Sequence, residues 1–308
     1  MAVLKASDYQ PNAAARSMRT RRTGTIGVVV EGITNPFYPE ALLLLGQQLQ
    51  QHQLRMILWD ADEGPGAQAA VEAIEQQLVD GLVFTTATED SALLDRALKK
   101  RQPVVLVNRT IDGAGCDQVA SDNFGVSKEI AQYFVGHSHR RIGLVAGPAH
   151  ASTATEREAG FRAGLAESGI VLEDRYVADG QYNHDGGHQA IRRLLQQADP
   201  PTAVLCLNDF SAFGAIDGAR SLKIRIPTDL WIVGFDDVNM SSWESFDLTT
   251  ARQPMAEMVA IAVDLLVRRI DNPDLPATTK TFWCDLKVRG STAFAPKLHD
   301  SQTQGGTR

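Results

Sequence analysis

The sequence predicts an α/β protein of two lobes, each built on a doubly wound parallel sheet. Short β-branched runs alternate with stretches whose apolar residues recur at helical spacing, which is the βαβ rhythm of parallel sheets. The chain has 308 residues, and 44% of them are hydrophobic. Because single cores stop growing at roughly 250–300 residues, this length indicates two similar cores rather than one.

The predicted strands are short apolar runs that end at polar residues or turns. In chain order they cover residues 25–30, 55–59, 81–85, 103–108, 141–145, 203–208 and 231–235. The predicted helices lie between these strands and carry apolar residues three or four positions apart. They cover residues 39–53, 67–78, 91–100, 125–136, 155–168, 186–197 and 210–222.

Two junctions predict where the chain passes between the lobes. Asp122-Asn123 follows the strand-like run QVAS, and Gln253-Pro254 follows LTTA. We assign residues 25–122 and 254–281 to an N-terminal lobe, and residues 123–253 and 282–295 to a C-terminal lobe. Residues 1–24 precede both lobes, and the polar tail at 296–308 is predicted to be disordered.

Charge is distributed unevenly along the chain. Residues 1–22 carry five basic side chains and one acidic side chain, a net charge of +4, so the rest of a chain of formal charge −7 carries −11. An acidic body repels phosphate, so any contact with nucleic acid is expected in this N-terminal arm. A solvated, frayed terminus is the alternative explanation of the same charge.

Several classes of function lack their sequence signatures. The three cysteines form no CxxC pair, and no G-x-G-x-x-G, P-loop or G-x-S-x-G motif occurs. The histidine pairs 137/139 and 184/188 have no acidic or cysteine partner at metalloenzyme spacing. Adjacent Asp236 and Asp237 point to opposite faces of an extended chain, so they cannot flank one glycosidic bond. We therefore expect no cofactor, no metal and no enzymatic activity.

The N-terminal region also argues against export and membrane insertion. The longest apolar run near the N-terminus, residues 41–45, is too short to span a bilayer. No charged-then-apolar signal peptide precedes it, as a secreted transport receptor would require. The sequence therefore predicts a cytoplasmic protein without a membrane partner.

Polar residues follow several of the predicted strands. Open parallel sheets bind ligands at the carboxyl ends of their strands, where these side chains would gather. The predicted site is therefore the cleft between the lobes. Its candidates are the pairs Thr34-Asn35, Asn208-Asp209 and Asp236-Asp237, together with Asp60.

Nine motifs, in the same order, give the chain a resemblance to the LacI/GalR transcription regulators over nearly its whole length. They read Y-x-P-N-x-x-A-R-S-M-R-T from Tyr9, TIGVVV from Thr25, TNPFY from Thr34, GHSHRRI from Gly136, R-x-x-G-F from Arg157, ND at Asn208, P-x-D from Pro227, GFDD from Gly234 and LTT from Leu248. The resemblance implies a DNA-reading headpiece, a hinge helix and a periplasmic-binding-protein-like core of type I. This core has two lobes, and through it two copies of the chain would form a homodimer.

The resemblance implies that residues 13–19 form the hinge helix in the minor groove of operator DNA. Met18 would then be the apolar wedge that unstacks one base step, and Arg16 and Arg19 would face phosphates. Asn12 and Ala15 would complete the DNA contacts. Packing of Met18 on the surface of a lobe is the alternative.

The matched positions in the cleft imply a site for a small sugar. Hydroxyl groups both donate and accept hydrogen bonds, so such a site needs carboxylate, amide and guanidinium groups beside an aromatic face. By resemblance Arg157 would donate to two ligand oxygens, and Tyr182 would stack on the ligand. The complete set of predicted effector-binding residues is Phe37, Tyr38, Thr153, Arg157, Tyr182, Asn208 and Asp236.

The resemblance thus implies a repressor in which a sugar bound between the lobes changes operator binding. Residues 3–9, near the start of the chain, are similar to the end of the headpiece's third helix. We therefore expect the helix-turn-helix to be missing from this chain. A start codon assigned too late is one explanation, and a true truncation is the other. The alternative function is a cytoplasmic sugar-binding protein without specific DNA binding.

Overall fold

The computed structural model describes residues 22–61 and 65–292. Their twelve strands fall into two six-stranded sheets, as the alternating pattern predicts. The first sheet contains β1 (Thr25–Val30), β2 (Arg55–Asp60), β3 (Gly81–Phe84), β4 (Val104–Val107), β5 (Asp117–Ser121) and β11 (Thr279–Phe282). The second contains β6 (Ile142–Ala146), β7 (Val177–Asp179), β8 (Ala203–Cys206), β9 (Trp231–Asp236), β10 (Thr249–Arg252) and β12 (Asp285–Lys287).

The two sheets have the same topology. Their strand orders are β11-β5-β4-β3-β1-β2 and β12-β10-β9-β8-β6-β7, and every neighbouring pair is parallel except β10 with β12. Read from the second strand of each lobe, both follow the doubly wound order 2-1-3-4-5. The winding therefore reverses between β1 and β3 in the N-terminal lobe and between β6 and β8 in the C-terminal lobe.

Eight α-helices cover the sheets in the described part of the chain. They are α1 (Phe37–Gln51), α2 (Pro65–Glu75), α3 (Ala92–Lys99), α4 (Asn123–Gly136), α5 (Ser152–Ala166), α6 (His184–Leu195), α7 (Asp209–Ser221) and α8 (Met255–Asp271). Apolar side chains between these helices and the sheets form the buried cores. No helix in residues 22–61 and 65–292 is long and apolar enough to cross a membrane.

The structure adds elements that the sequence analysis did not assign. They are α8 and the short strands β7, β10, β11 and β12. Phe282 pairs with Ser121 in the first sheet, so the last passage between sheets comes one residue later than the boundary at 281. The helix predicted at 155–168 begins three residues earlier, at Ser152. The expected tail at 296–308 and most of the arm lie outside the described residues.

Candidate functional site

A cavity of about 280 Å³ lies between the lobes at the point where both sheets reverse their winding. The N-terminal lobe contributes Tyr38, which follows β1, and Arg109, which follows β4. The C-terminal lobe contributes Pro148 after β6, Tyr182 after β7 and Phe210 after β8. Loops at the carboxyl ends of the strands in both sheets therefore line one cavity.

Arg157 and Asp236 form a buried ion pair next to the cavity, where both interact with Tyr182 of its lining. Arg157 lies on α5 and donates from Nε to Asn123 Oδ1 at 2.8 Å and from Nη1 to the Leu207 carbonyl at 2.6 Å. Its Nη1 is also 3.4 Å from Asp236 Oδ1, and its guanidinium carbon is 3.6 Å from the centre of the Phe235 ring. These contacts fix the guanidinium beside the carboxylate, and both side chains are at most 5% exposed.

Asp236 ends β9 in a backbone conformation that side chains rarely adopt, with φ at 130°. Gln253 donates from Nε2 to Asp236 Oδ1 at 2.8 Å and accepts from the Ser121 hydroxyl at 2.7 Å. Burial raises the pKa of Asp236 to about 6, although the Arg157 guanidinium opposes this effect. The adjacent Asp237 forms ion pairs with two arginines instead, Arg252 and Arg289.

Tyr182 lies beside the ion pair of Arg157 and Asp236. Its hydroxyl donates to Thr153 Oγ1 at 3.3 Å, and its carbonyl accepts from Asn208 Nδ2 at the same distance. Burial raises the pKa of Tyr182, and the guanidinium of Arg157 opposes the rise. Asn208 also caps α7, because its Oδ1 accepts from the Ser211 amide at 3.0 Å. The capped helix therefore helps to fix the aromatic ring.

The N-terminal lobe supplies two aromatic side chains at the start of α1. Phe37 and Tyr38 are buried and pack edge to face, with ring centres 5.3 Å apart. Both belong to an apolar cluster that also contains Val145 and Phe213 of the C-terminal lobe. Burial raises the pKa of Tyr38, and the Arg109 guanidinium opposes this. The first helix therefore joins the two lobes through its aromatic residues.

Arg109 is a site residue that the sequence analysis missed. Its side chain comes from the loop after β4, and the residue is only 7% exposed. Nη1 donates to the Thr86 carbonyl at 2.7 Å, whereas the buried Nε has no hydrogen-bond partner. A buried donor without a partner costs about 1–3 kcal/mol, so Arg109 is poised to donate to a ligand.

Backbone strain also concentrates at the cleft. Eleven described residues other than glycine have positive φ. Such conformations cost about 1–3 kcal/mol each and persist where the surrounding structure enforces them, often at functional sites. Five of the eleven lie at or just after the ends of strands beside the site, at Asn108, Gln181, Tyr182, Asp236 and Asp237.

Of the seven predicted effector-binding residues, Tyr38 and Tyr182 line this cavity, and Phe37 lies in the apolar contact between lobes. The other four, Thr153, Arg157, Asn208 and Asp236, interact with Tyr182. Arg109 could have been found by the strand-end rule, because it directly follows the predicted strand at 103–108. Gln253 was recognised only as a junction. The predicted DNA-binding residues Asn12, Ala15, Arg16, Met18 and Arg19 lie outside the described residues.

Histidine geometry in the described part of the chain gives no sign of a metal site. No group of three or more His, Cys, Asp or Glu side chains within residues 22–61 and 65–292 could hold an ion. His184 Nε2 instead lies 3.1 Å from Asp217 Oδ2, and His139 Nδ1 lies 2.9 Å from the Thr202 hydroxyl.

Comparison with known proteins agrees with this architecture. Residues 23–279 match the family described as periplasmic binding proteins and sugar binding domain of LacI family. The ribose operon repressor of Haemophilus influenzae is 31% identical over 277 residues, which cover 89% of this chain and 82% of that protein. That of Escherichia coli K12 is 30% identical over 296 residues, covering 94% and 88%.

Solved structures of regulators are similar over most of the chain. A LacI family transcriptional regulator from Enterococcus faecium with bound ribose has a TM-score of 0.78 and 28% identity, covering 87% of this chain and 98% of that one. The complex of the regulator CelR with cellobiose has a TM-score of 0.82 and 26% identity, covering 94% of both chains. The chain therefore belongs to the LacI family, and its lobes are the domain that this family shares with periplasmic binding proteins.

Proposed function

We propose that this protein is a transcriptional repressor whose interlobe cleft binds a monosaccharide, with D-ribose as the first candidate. The observation that carries the proposal is the convergence of buried polar groups from both lobes, above all the unpartnered Nε of Arg109. The names of its relatives support the proposal, since two are ribose operon repressors and a similar structure holds ribose.

The chemistry of the site suits a sugar. Arg109 and Arg157 can donate to hydroxyl oxygens, Asp236 can accept from hydroxyl hydrogens, and Tyr38 and Tyr182 can cover an apolar ring face. Its charges oppose a simple anion site, because the buried carboxylate lies 3.4 Å from the Arg157 guanidinium. A neutral ligand with many hydroxyls therefore fits better than a phosphate or a carboxylate.

The size of the cavity favours one sugar ring. Its 280 Å³ lies at the lower end of the roughly 300–1,000 Å³ that small-molecule pockets occupy. A larger space of about 510 Å³ lies nearby and shares Thr34, Gln181, Asn183 and Phe210 with it. We assign the ligand to the smaller cavity, because buried side chains from both lobes converge there.

Hydrogen bonds between the lobes suggest how a ligand could control the protein. The Thr110 amide donates to the Ser152 hydroxyl at 3.0 Å, and the Thr110 hydroxyl donates to Glu156 at 3.0 Å. Elsewhere on the interface, the Asn239 amide donates to Glu40 at 2.9 Å. A sugar that bridges the lobes favours this arrangement. If operator DNA prefers one arrangement, it alters the affinity for sugar by the same factor by which sugar alters the affinity for the operator.

We further propose that the regulator is a homodimer that contacts DNA through residues 12–19. β2 is an edge strand, and its Ile57 and Leu58 are 43% and 38% exposed, while Leu43 on α1 is 64% exposed. Exposed apolar side chains on a sheet edge and a helix support contact with a second copy. Sedimentation at micromolar concentration should give the mass of a dimer, and a monomer would contradict this part of the proposal.

Isothermal titration calorimetry with D-ribose, D-glucose and cellobiose tests the effector assignment. D-Ribose should bind, and Arg109→Lys should weaken its binding about 10- to 100-fold, because the planar fork is lost while the charge remains. The matched control is Arg96→Lys, a substitution at an exposed arginine of the same lobe. The absence of binding by all three sugars would overturn the monosaccharide assignment.

A further inference from the structure

Gly147 follows β6 at the edge of the cleft, and its contacts single it out among the glycines near the site. A Cβ atom built on Gly147 would lie 2.4 Å from Cε1, 2.6 Å from Cζ and 2.9 Å from Cδ1 of Tyr182. Three ring atoms at such distances mean that the aromatic ring lies directly over the Gly147 backbone. The ring can occupy this place only because residue 147 has no side chain.

Several contacts hold the ring of Tyr182 against this glycine. The Tyr182 hydroxyl donates to Thr153, and its carbonyl accepts from Asn208. The backbone at Gln181 and Tyr182 has φ of 50° and 54°, so two successive residues adopt the left-handed conformation that places the ring there. The ring is therefore positioned by the loop backbone, by two hydrogen bonds and by the glycine beneath it.

The other neighbours of the ring are the charged groups of the site. Arg157, Asp236 and Arg109 all act electrostatically on the Tyr182 hydroxyl, so both lobes face it. Tyr182 and Arg109 also line the same cavity. Because Tyr182 lines the cavity, a displacement of its ring away from Gly147 changes the wall of the space that a ligand would occupy.

We propose that Gly147 is a positioning residue that sets the depth of Tyr182 and thereby the size of ligand that the cleft accepts. This inference rests on the proposed function, because it assigns a specificity role within the sugar site. A methyl group at residue 147 would overlap three atoms of the Tyr182 ring, so the ring has to shift to make room for it. The shift changes the wall of the cleft, because Tyr182 lines it.

Fluorine NMR of the protein labelled with 3-fluorotyrosine tests the position of the ring without any ligand. The chain has five tyrosines, and the Tyr182 resonance is the one that disappears in Tyr182→Phe. Gly147→Ala should shift this resonance, whereas Gly136→Ala should leave it in place, because no atom lies within 4 Å of a Cβ there. An unchanged Tyr182 resonance in Gly147→Ala would overturn the inference.

Sugar titrations test the consequence for specificity. Gly147→Ala should weaken D-ribose binding at least tenfold in the natural background and leave it unchanged in a Tyr182→Leu background, which has no ring to displace. Equal losses in the two backgrounds would show that Gly147 acts independently of Tyr182 and would overturn the inference. If the unsubstituted protein binds no sugar, the proposed function fails, and the fluorine spectrum alone still decides the role of Gly147.

Discussion

Replacing Asp209 with asparagine should change how the stability of this protein depends on pH. Asp209 is fully buried behind the site, and its carboxylate accepts hydrogen bonds from the Ser241 hydroxyl, the Thr250 hydroxyl and the Val238 amide. Burial nevertheless raises its pKa from the ordinary value of 3.8 to about 7, and the nearby charge of Asp236 contributes to the rise. The folded protein therefore keeps a proton that the unfolded chain releases near pH 4.

The sign and size of the effect follow from this difference. Between about pH 4 and pH 7 the folded state binds more protons than the unfolded state, so the free energy of unfolding falls as the pH rises. With a folded pKa of about 7, linkage gives a loss of about 1 kcal/mol between pH 6 and pH 8. The amide of Asp209→Asn stays neutral throughout, so the variant should lack this loss.

Urea unfolding at pH 6, 7 and 8 measures the difference directly. The fall in unfolding free energy from pH 6 to pH 8 should be about 1 kcal/mol smaller in Asp209→Asn than in the unsubstituted protein. Asp274→Asn removes an exposed carboxylate and should follow the unsubstituted protein. Parallel curves for Asp209→Asn and the unsubstituted protein would refute the reasoning, because they would mean that Asp209 is already ionised at pH 6.

Three other changes have expected outcomes. Ser138→Gly, at a residue with φ of 68° after α4, should raise the free energy of unfolding in urea by about 0.5–1 kcal/mol; a decrease would count against strain there. Arg269→Met should lower it by about 3–5 kcal/mol, because Asp117 would stay buried without its ion pair, and a change below 1 kcal/mol would contradict this. Deleting residues 2–21 should abolish salt-dependent DNA binding in fluorescence anisotropy but spare D-ribose binding, and retained DNA affinity would place the contact elsewhere.

The sequence predicted the strands that carry apolar runs, including the largely exposed edge strand β2, and missed the shorter or more polar ones. TIGVVV at β1 is apolar because both faces of its parallel sheet are covered by helices. β11 reads TKTF and β12 reads DLK, and both lie at sheet edges with much of their surface exposed. These short polar strands carry too little apolar surface for periodicity to detect them, whereas the edge strand β2 reads RMILWD and was predicted. The helix Met255–Asp271 carries a helical pattern of buried apolar residues and was nevertheless not predicted.

The candidate site was predictable at strand ends and not beyond them. Asn208 and Asp236 were found because each ends a strand of a parallel sheet, a position that topology alone makes important. Asn123 and Gly147 contribute through what they touch, namely the Arg157 guanidinium and the Tyr182 ring. Such contacts depend on how helices and loops pack across the sheet, and no spacing along the chain encodes them.

Residues with positive φ occur at two kinds of position in this structure, the ends of helices and the interlobe cleft. Gln53, Ser138 and Lys223 adopt positive φ just after helices, where a left-handed residue satisfies the last carbonyls and glycine would serve at less cost. Asp236 and Tyr182 adopt it inside the cleft, where glycine would relieve the same strain but remove the carboxylate or the ring. Under the proposed function, the strain is tolerated there because the side chain is needed in that direction. Substitution by glycine should therefore leave the affinity for D-ribose unchanged at the helix ends and abolish it in the cleft.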